Sequence, residues 1–278
     1  MPITDIDTSK FAVLTEEQRR AFLTQGYFVV EDALPQDFLE ELTEAADQVH
    51  ARMKDAGEPS SNGEWSLRNC IVQHDAFFRL LDYPTTVPLA WQLLNWNIQM
   101  NTSHLVIIPP KPEPSEEEKV KLGFHRDGGT SSREMEEPHP RIMLKIAYIL
   151  SDQRGPSSGA TWIVPGSNRM TGRPPVDPQT GNLVGAKMVN LKPGDAFLFE
   201  QRTYHSGGHN WSQIPRKTVF FGYGYRWFKA MDYIQMPDEI VAKANPIQKQ
   251  LLGVVSKPLS FFIPVEEDVP LKKLLEDQ

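Results

Sequence analysis

Apolar residues along the first sixty positions recur with a helical period. In LPQDFLEELTEAADQVHARMKDAG, Phe38, Leu42, Ala45, Val49 and Met53 stand at i, i+4, i+7, i+11 and i+15, one stripe of an amphipathic helix that Gly57 ends. Before it, Thr15 and Gln18 form a capping box for the short helix EEQRRAFLTQ, which Gly26 closes, and YFVV follows as a strand. From about residue 67 the pattern changes to short β-rich runs separated by turn residues: IQMNTSHLVII, RIMLKIAYIL, ATWIV, AKMVNL, AFLFEQ and KTVFFGYGYRWF. PGSN at 165 and KPGD at 192 punctuate them as turns. Segments 109–120, 128–140 and 170–186 carry no strand pattern and read as lids or binding loops.

The expected architecture is mainly β, a double-stranded β-helix (jelly-roll or cupin-like) core with N-terminal helices packed on one sheet. One domain over 1–278 is expected, with a helical buttress at 1–60, the roll at 61–230 and a C-terminal extension at 231–278. The 23 prolines, well above ordinary usage of about 5%, suit many loops and argue against a helical bundle.

Charge removes one class of partner. Against 29 basic residues stand 36 acidic ones, and no Lys/Arg stripe tracks a phosphate backbone, so nucleic acid is not expected. Cys70 is the only cysteine, which forbids an intrachain disulfide and fits a reducing compartment. Neither a leader pattern nor a membrane-length apolar run appears, so the expectation is a cytoplasmic protein without membrane partners, its oligomeric state left open.

The chemistry begins at LGFHRDGG, residues 122–129. On an extended ribbon His125 and Asp127 leave the same face, with Arg126 pointing away. A protein-kinase HRD is the competing reading, but Gly128 replaces the expected Leu, Ser132 stands at the metal-binding Asn position, and glycine-rich loop and DFG are missing. An ordinary surface turn is the other alternative. The metal reading gains from FLFEQRTYHSGGHNWSQIPR at 197–216, which supplies His205 just after a strand and Arg216 at the start of the next. Two imidazoles and one carboxylate cover one face of an octahedral metal and leave three positions open, a donor set suited to Fe(II). His209 makes a His-x-x-x-His spacing with His205, but Ser206-Gly207-Gly208 is a poor helix and no HExxH glutamate is present, so His205 is the better ligand.

These residues resemble the phytanoyl-CoA dioxygenase family of Fe(II)- and 2-oxoglutarate-dependent oxygenases. The resemblance rests on the strand after Gly26, the strand ending in Pro109-Pro110, the HxD at 125–127, the glycine-to-PGS turn at 159–167, the PGD turn at 193–195, and His205, Asn210 and Arg216 in order. It implies that His125, Asp127 and His205 hold iron and that Arg216 anchors the far carboxylate of 2-oxoglutarate, a role suited to a permanently charged bidentate cation. Thr218 shares the Arg216 face and could add a hydroxyl. His104 and Arg68 resemble positions near the cosubstrate, with a satisfied core histidine and a solvated charge as the respective alternatives. Lys145, inside the apolar RIMLKIAYIL, departs from the family's usual aromatic or aliphatic residue and must face either solvent or a polar cavity, where it could contact the cosubstrate or a substrate. Gly207 departs too, where a serine is common.

Asp127 argues against halogenation, because halogenating relatives lack that acid. The resemblance therefore implies a hydroxylase using Fe(II), 2-oxoglutarate and O2 on a small molecule, with desaturation, epoxidation or cyclisation open to the same ligands. The loops at 111–120, 128–140 and 170–186 are expected over the iron, with Arg126, Thr130 and Arg133, and the aromatics Tyr223, Tyr225, Trp227 and Phe228, as pocket or rim candidates. A cupin-like hydrolase or isomerase, or an inert relative, is the contrasting class.

Overall fold

A computed structural model describes residues 7–58, 60, 63–115, 121–128 and 134–276. Helix α1 (Glu16–Gln25) begins at the expected capping box, Thr15 Oγ1 accepting from Gln18 N and Gln18 Oε1 accepting from Thr15 N, both at 3.1 Å. It stops at Gly26 and feeds strand β1 (Tyr27–Val30). Helix α2 (Gln36–Asp55) buries all five residues of the stripe. Next comes β2 (Trp65–Arg68), which ends where Asn69, at φ 53°, turns the chain into a 3-10 turn over Cys70–Val72.

Two helices follow within the segment assigned to the roll, α3 (Asp75–Phe78) and α4 (Val87–Leu94). In α4, Val87, Leu89, Ala90, Trp91 and Leu94 are all buried, so VPLAWQLL has no polar face to reveal a helical period. The remaining strands are β3 (Ile98–Ile108), β4 (Met143–Ile149), β5 (Thr161–Ile163), β6 (Lys187–Met188), β7 (Ala196–Glu200), β8 (His205–Gly207) and β9 (Arg216–Tyr225). Three short helices, α5 (Asp238–Lys243), α6 (Pro246–Leu251) and α7 (Pro270–Glu276), complete the chain.

The strands form a six-stranded sheet, β1-β7-β4-β9-β3-β2, and a three-stranded sheet, β6-β5-β8, with every pair antiparallel. Strand alternation sorts the large sheet into two faces. Leu144, Ile146 and Tyr148 of β4, Ala196 and Leu198 of β7, and Val219, Phe221 and Tyr223 of β9 join Phe38, Leu42 and Val49 of α2 in one core that runs from Leu14 to Leu271. The intervening residues Ala147, Ile149, Phe197 and Phe199 meet Ile163, Val189 and Leu191 of the small-sheet side. The fold is thus a double-stranded β-helix with helices on the outer face of the large sheet. Among the described residues no helix is long and apolar enough to cross a membrane.

Candidate metal centre

Register decides which polar side chains enter the space between the sheets. Across the large sheet Arg68 lies opposite His104, His104 opposite Phe220, and Phe220 opposite Ala147, an inner-face residue. Lys145 is opposite Gly222 and Phe199, and Thr218 opposite Ile149, so these too face inward. Because side chains repeat every second residue, Arg216 shares the face of Thr218, as its spacing implied. Lys145 thus stands toward one end of the inner face and Arg216 and Thr218 toward the other, with Ala147 and Phe220 between them.

His205 opens β8 in the small sheet, not directly on the strand AFLFEQ. A turn at Gln201–Tyr204, with Thr203 N donating to Glu200 O at 3.1 Å, carries the chain between the sheets. The HxD segment zips onto this turn. His125 and His205 exchange both backbone hydrogen bonds, at 2.9 and 3.0 Å, and Asp127 N donates to Gln201 O at 3.0 Å. His125 is paired by this single bridge, yet the two side chains converge as an extended ribbon would require.

One donor atom each from His125, Asp127 and His205 lies within 4.8 Å of the others. The imidazole Nδ1 atoms of His125 and His205 lie 3.0 and 2.9 Å from the carbonyl oxygens of Gly123 and Thr203. A carbonyl only accepts, so each Nδ1 carries the proton and each Nε2 offers a lone pair. Burial pushes the His205 imidazole down to about 4, against the pull of Asp127, so it is neutral at physiological pH. Burial alone would raise the Asp127 carboxyl, but Lys145 and His205 outweigh it and hold the acid at about 2. Asp127 Oδ1 accepts from Lys145 Nζ at 2.6 Å, while Oδ2 is buried without a hydrogen-bond partner among the described residues. Two imidazoles that turn Nδ1 to a carbonyl and an unpartnered carboxylate oxygen fit a divalent first-row ion such as Fe(II). Phe199 packs 4.6 Å from the His205 ring and keeps that side dry.

Arg216 is buried, and among the described residues no carboxylate comes within ion-pair distance of it. Its Nε donates to Gln153 Oε1 at 3.2 Å and its Nη2 to Thr161 Oγ1 at 3.3 Å, and Gln153 Nε2 donates to Thr218 Oγ1 at 2.8 Å. Burial pushes the guanidinium down to about 10, with Glu64 opposing the shift. A cation buried among neutral donors and acceptors is a site for an anion. Gly159, at φ +73°, permits the approach: a Cβ there would sit 2.8 Å from Arg216 Cδ. Asn210 shapes the turn into β9, its Nδ2 donating to Ile108 O and Ile214 O.

The other sequence candidates divide. His104 lies with Ser66 Oγ 2.6 Å from its Nε2, and burial, followed by Arg68 and Lys145, pushes its ring down to about 3. Arg68 lines the pocket, half exposed, donating to Thr102 Oγ1 at 3.2 Å with Asp232 at 3.9 Å. Arg126 borders the pocket as a rim residue: its guanidinium donates to Arg202 O, Met170 O and Glu137 Oε1 and lies over the Tyr204 ring, tying the HxD segment to the 167–172 loop. Thr130 and Arg133 lie outside the described residues. His209 stacks on Trp211, away from the cluster. Tyr223 is a core residue whose hydroxyl donates to Leu81 O at 2.8 Å, and Tyr225 stacks on the half-exposed Trp227.

A pocket of about 1020 Å³ opens over the cluster, bordered by Gly128, Met135, Glu137 and His139 from one expected loop and Arg173 from another. The described part of 111–120 does not border it. Gln153, Thr161, Asp232 and Arg173 escaped sequence reasoning. Gln153 stands in a loop without period, and its only signal is register: an isolated bridge to Leu191 holds it beside Arg216.

The sequence pattern of the family described as phytanoyl-CoA dioxygenase (PhyH) matches residues 22–218. An uncharacterized protein of Mycobacterium tuberculosis is 25% identical over 245 residues, 84% of each chain. Among solved structures, HygX from Streptomyces hygroscopicus with nickel and 2-oxoglutarate bound superimposes with a TM-score of 0.61 at 16% identity, covering 82% of this chain and 94% of that one. The epimerase SnoN, in complex with Fe3+, alpha-ketoglutarate and nogalamycin RO, gives 0.58 at 19% identity, covering 76% and 83%. At such identities the structural likeness is one of fold.

Proposed function

Because the chain belongs to the phytanoyl-CoA dioxygenase family, we propose that it is an Fe(II)- and 2-oxoglutarate-dependent oxygenase hydroxylating an unactivated C–H bond of a small molecule. The observation that carries this reading is the pairing of a three-donor cluster with a buried guanidinium lacking an acid partner, both between the two sheets. A non-redox hydrolase or isomerase needs the first and has no use for the second. Solved neighbours that hold 2-oxoglutarate agree with it.

His125 Nε2, His205 Nε2 and Asp127 Oδ2 would hold the ion on one face, their directions set by the Gly123 and Thr203 carbonyls and by Lys145. Arg216, with Thr218, Gln153 and Thr161 about it, would take the far carboxylate of 2-oxoglutarate and so orient its keto-acid end toward the open positions. Iron held there would supply O2 activation, with O2 as the oxidant: one oxygen atom would go into the C–H bond and the other into succinate as 2-oxoglutarate loses CO2. Phe199 and the apolar inner face exclude water beside His205. The substrate enters by the pocket between Arg68, Arg173 and Asp232. Buried Cys70 and the acidic surface balance fit a cytoplasmic setting.

The test is anaerobic addition of Fe(II) and 2-oxoglutarate. A visible charge-transfer band is expected in the native protein and should vanish in Asp127→Ala and His205→Ala. A native protein without the band, or variants that retain it, would refute the assignment. Hydroxylation is then checked by incorporation of one oxygen atom from labelled O2 into the product, since epimerisation or cyclisation returns none.

A further inference from the structure

Asp127 presents two unequal oxygens. Oδ1 is held by Lys145 Nζ at 2.6 Å, and Oδ2 is buried and unpartnered. The lysine side chain is only 12% exposed and the aspartate 8%, so the pair is shielded and its attraction is stronger than on a surface. Its base is fixed as well. Lys145 stands in mid-strand on β4, with Gly222 as its neighbour on β9, where a Cβ would meet Thr102 Cγ2 at 2.6 Å.

We infer that Lys145 is a positioning residue that makes Asp127 a one-oxygen ligand, a conclusion that rests on the metal reading of the site. A carboxylate can grip an ion through one oxygen or both. Through both, Asp127 and two imidazoles would occupy four of six octahedral positions and leave two. Through Oδ2 alone they occupy three, leaving two for a chelating keto acid and one for O2. The ammonium on Oδ1 takes up the lone pairs that the second mode would need. Being a cation beside a cation, it also lowers the affinity of the site for the metal, by repulsion and by drawing charge from the carboxylate.

The probe is Co(II), titrated into the full chain in the absence of oxygen, with visible absorption reporting coordination number and the titration reporting affinity. Two variants separate position from charge. Lys145→Met, of similar length and uncharged, is expected to bind Co(II) at least about tenfold more tightly, the equivalent of about 1.4 kcal/mol, and to change the intensity of the visible bands. Lys145→Gln still donates to Oδ1 and is expected to restore the native spectrum while keeping the gain in affinity. A folded Lys145→Met with native spectrum and native affinity overturns the inference. Should that variant not fold, Lys145→Gln decides: affinity equal to or weaker than native overturns it. If the native protein itself takes up no Co(II), the metal reading fails as well, which distinguishes the two failures.

Discussion

At the scale of single residues, the anion anchor gives the sharpest expectations. On the proposed function, Arg216→Ala removes the buried charge that meets the far carboxylate of the cosubstrate, a kind of loss that costs about 2–5 kcal/mol. The 2-oxoglutarate affinity should therefore fall at least about 30-fold, measured by titrating the charge-transfer band, while metal affinity measured alone stays native. Gly159→Ala should act in the same direction through its neighbour, since the new Cβ at φ +73° collides with Arg216 Cδ. A raised KM for 2-oxoglutarate with unchanged metal uptake is expected, and an unchanged KM would remove Gly159 from this account. His125, Asp127, His205 and Arg216 were readable from order along the chain because each sits in a compact local pattern. Gln153 and Thr161 were not, because their proximity to Arg216 is made by strand register and by no motif. Arg126, a rim candidate from its place beside the HxD, does border the pocket, while its ties to Met170 O and Glu137 are made by loop packing that no motif announces.

At the scale of elements, the helix on the outer face and its cap are the parts to probe. Leu42 is wholly buried between α2 and the sheet, and Leu42→Ala should cost about 2–5 kcal/mol, read as a lower denaturation midpoint with little change in slope. Thr15→Ala removes one half of a reciprocal cap at an exposed helix start and should cost only about 1 kcal/mol. A Thr15 effect as large as the Leu42 effect would contradict this ordering. α1 and α2 were legible because one face of each is polar, and the long strands β3, β4 and β9 because each is a run rich in β-branched or aromatic residues. α4 was not, being apolar all round, and the C-terminal helices were missed because six or seven residues give too few turns to show a period.

The whole molecule should lose stability on mild acidification before its carboxylates are titrated. Burial, the leading cause in each case, lowers His205 to about 4 and His104 to about 3, and His50 shifts the same way. An unfolded histidine titrates near 6.5, so below that pH the unfolded chain binds protons the folded chain refuses. Stability is complete above about pH 7 and declines as pH falls toward 4. Asp127, held at about 2, adds a further loss below about pH 4, where the unfolded carboxyl takes a proton. Thermal melts of the metal-free protein between pH 8 and pH 4.5 should show a steadily falling Tm, and a flat profile would mean these imidazoles protonate in the folded state. The sequence by itself determined the elements with a clear period and pointed to His125, Asp127 and His205 as a group that the fold brings together, because helical and strand periods and donor chemistry are local properties of residue type and spacing. Only the tertiary structure decided that Lys145 meets Asp127, that Gln153 joins Arg216 to Thr218, and that Arg68 and Asp232 border one pocket. Those contacts join residues 18 or more positions apart, and they follow from how two sheets register and close, which no local pattern encodes.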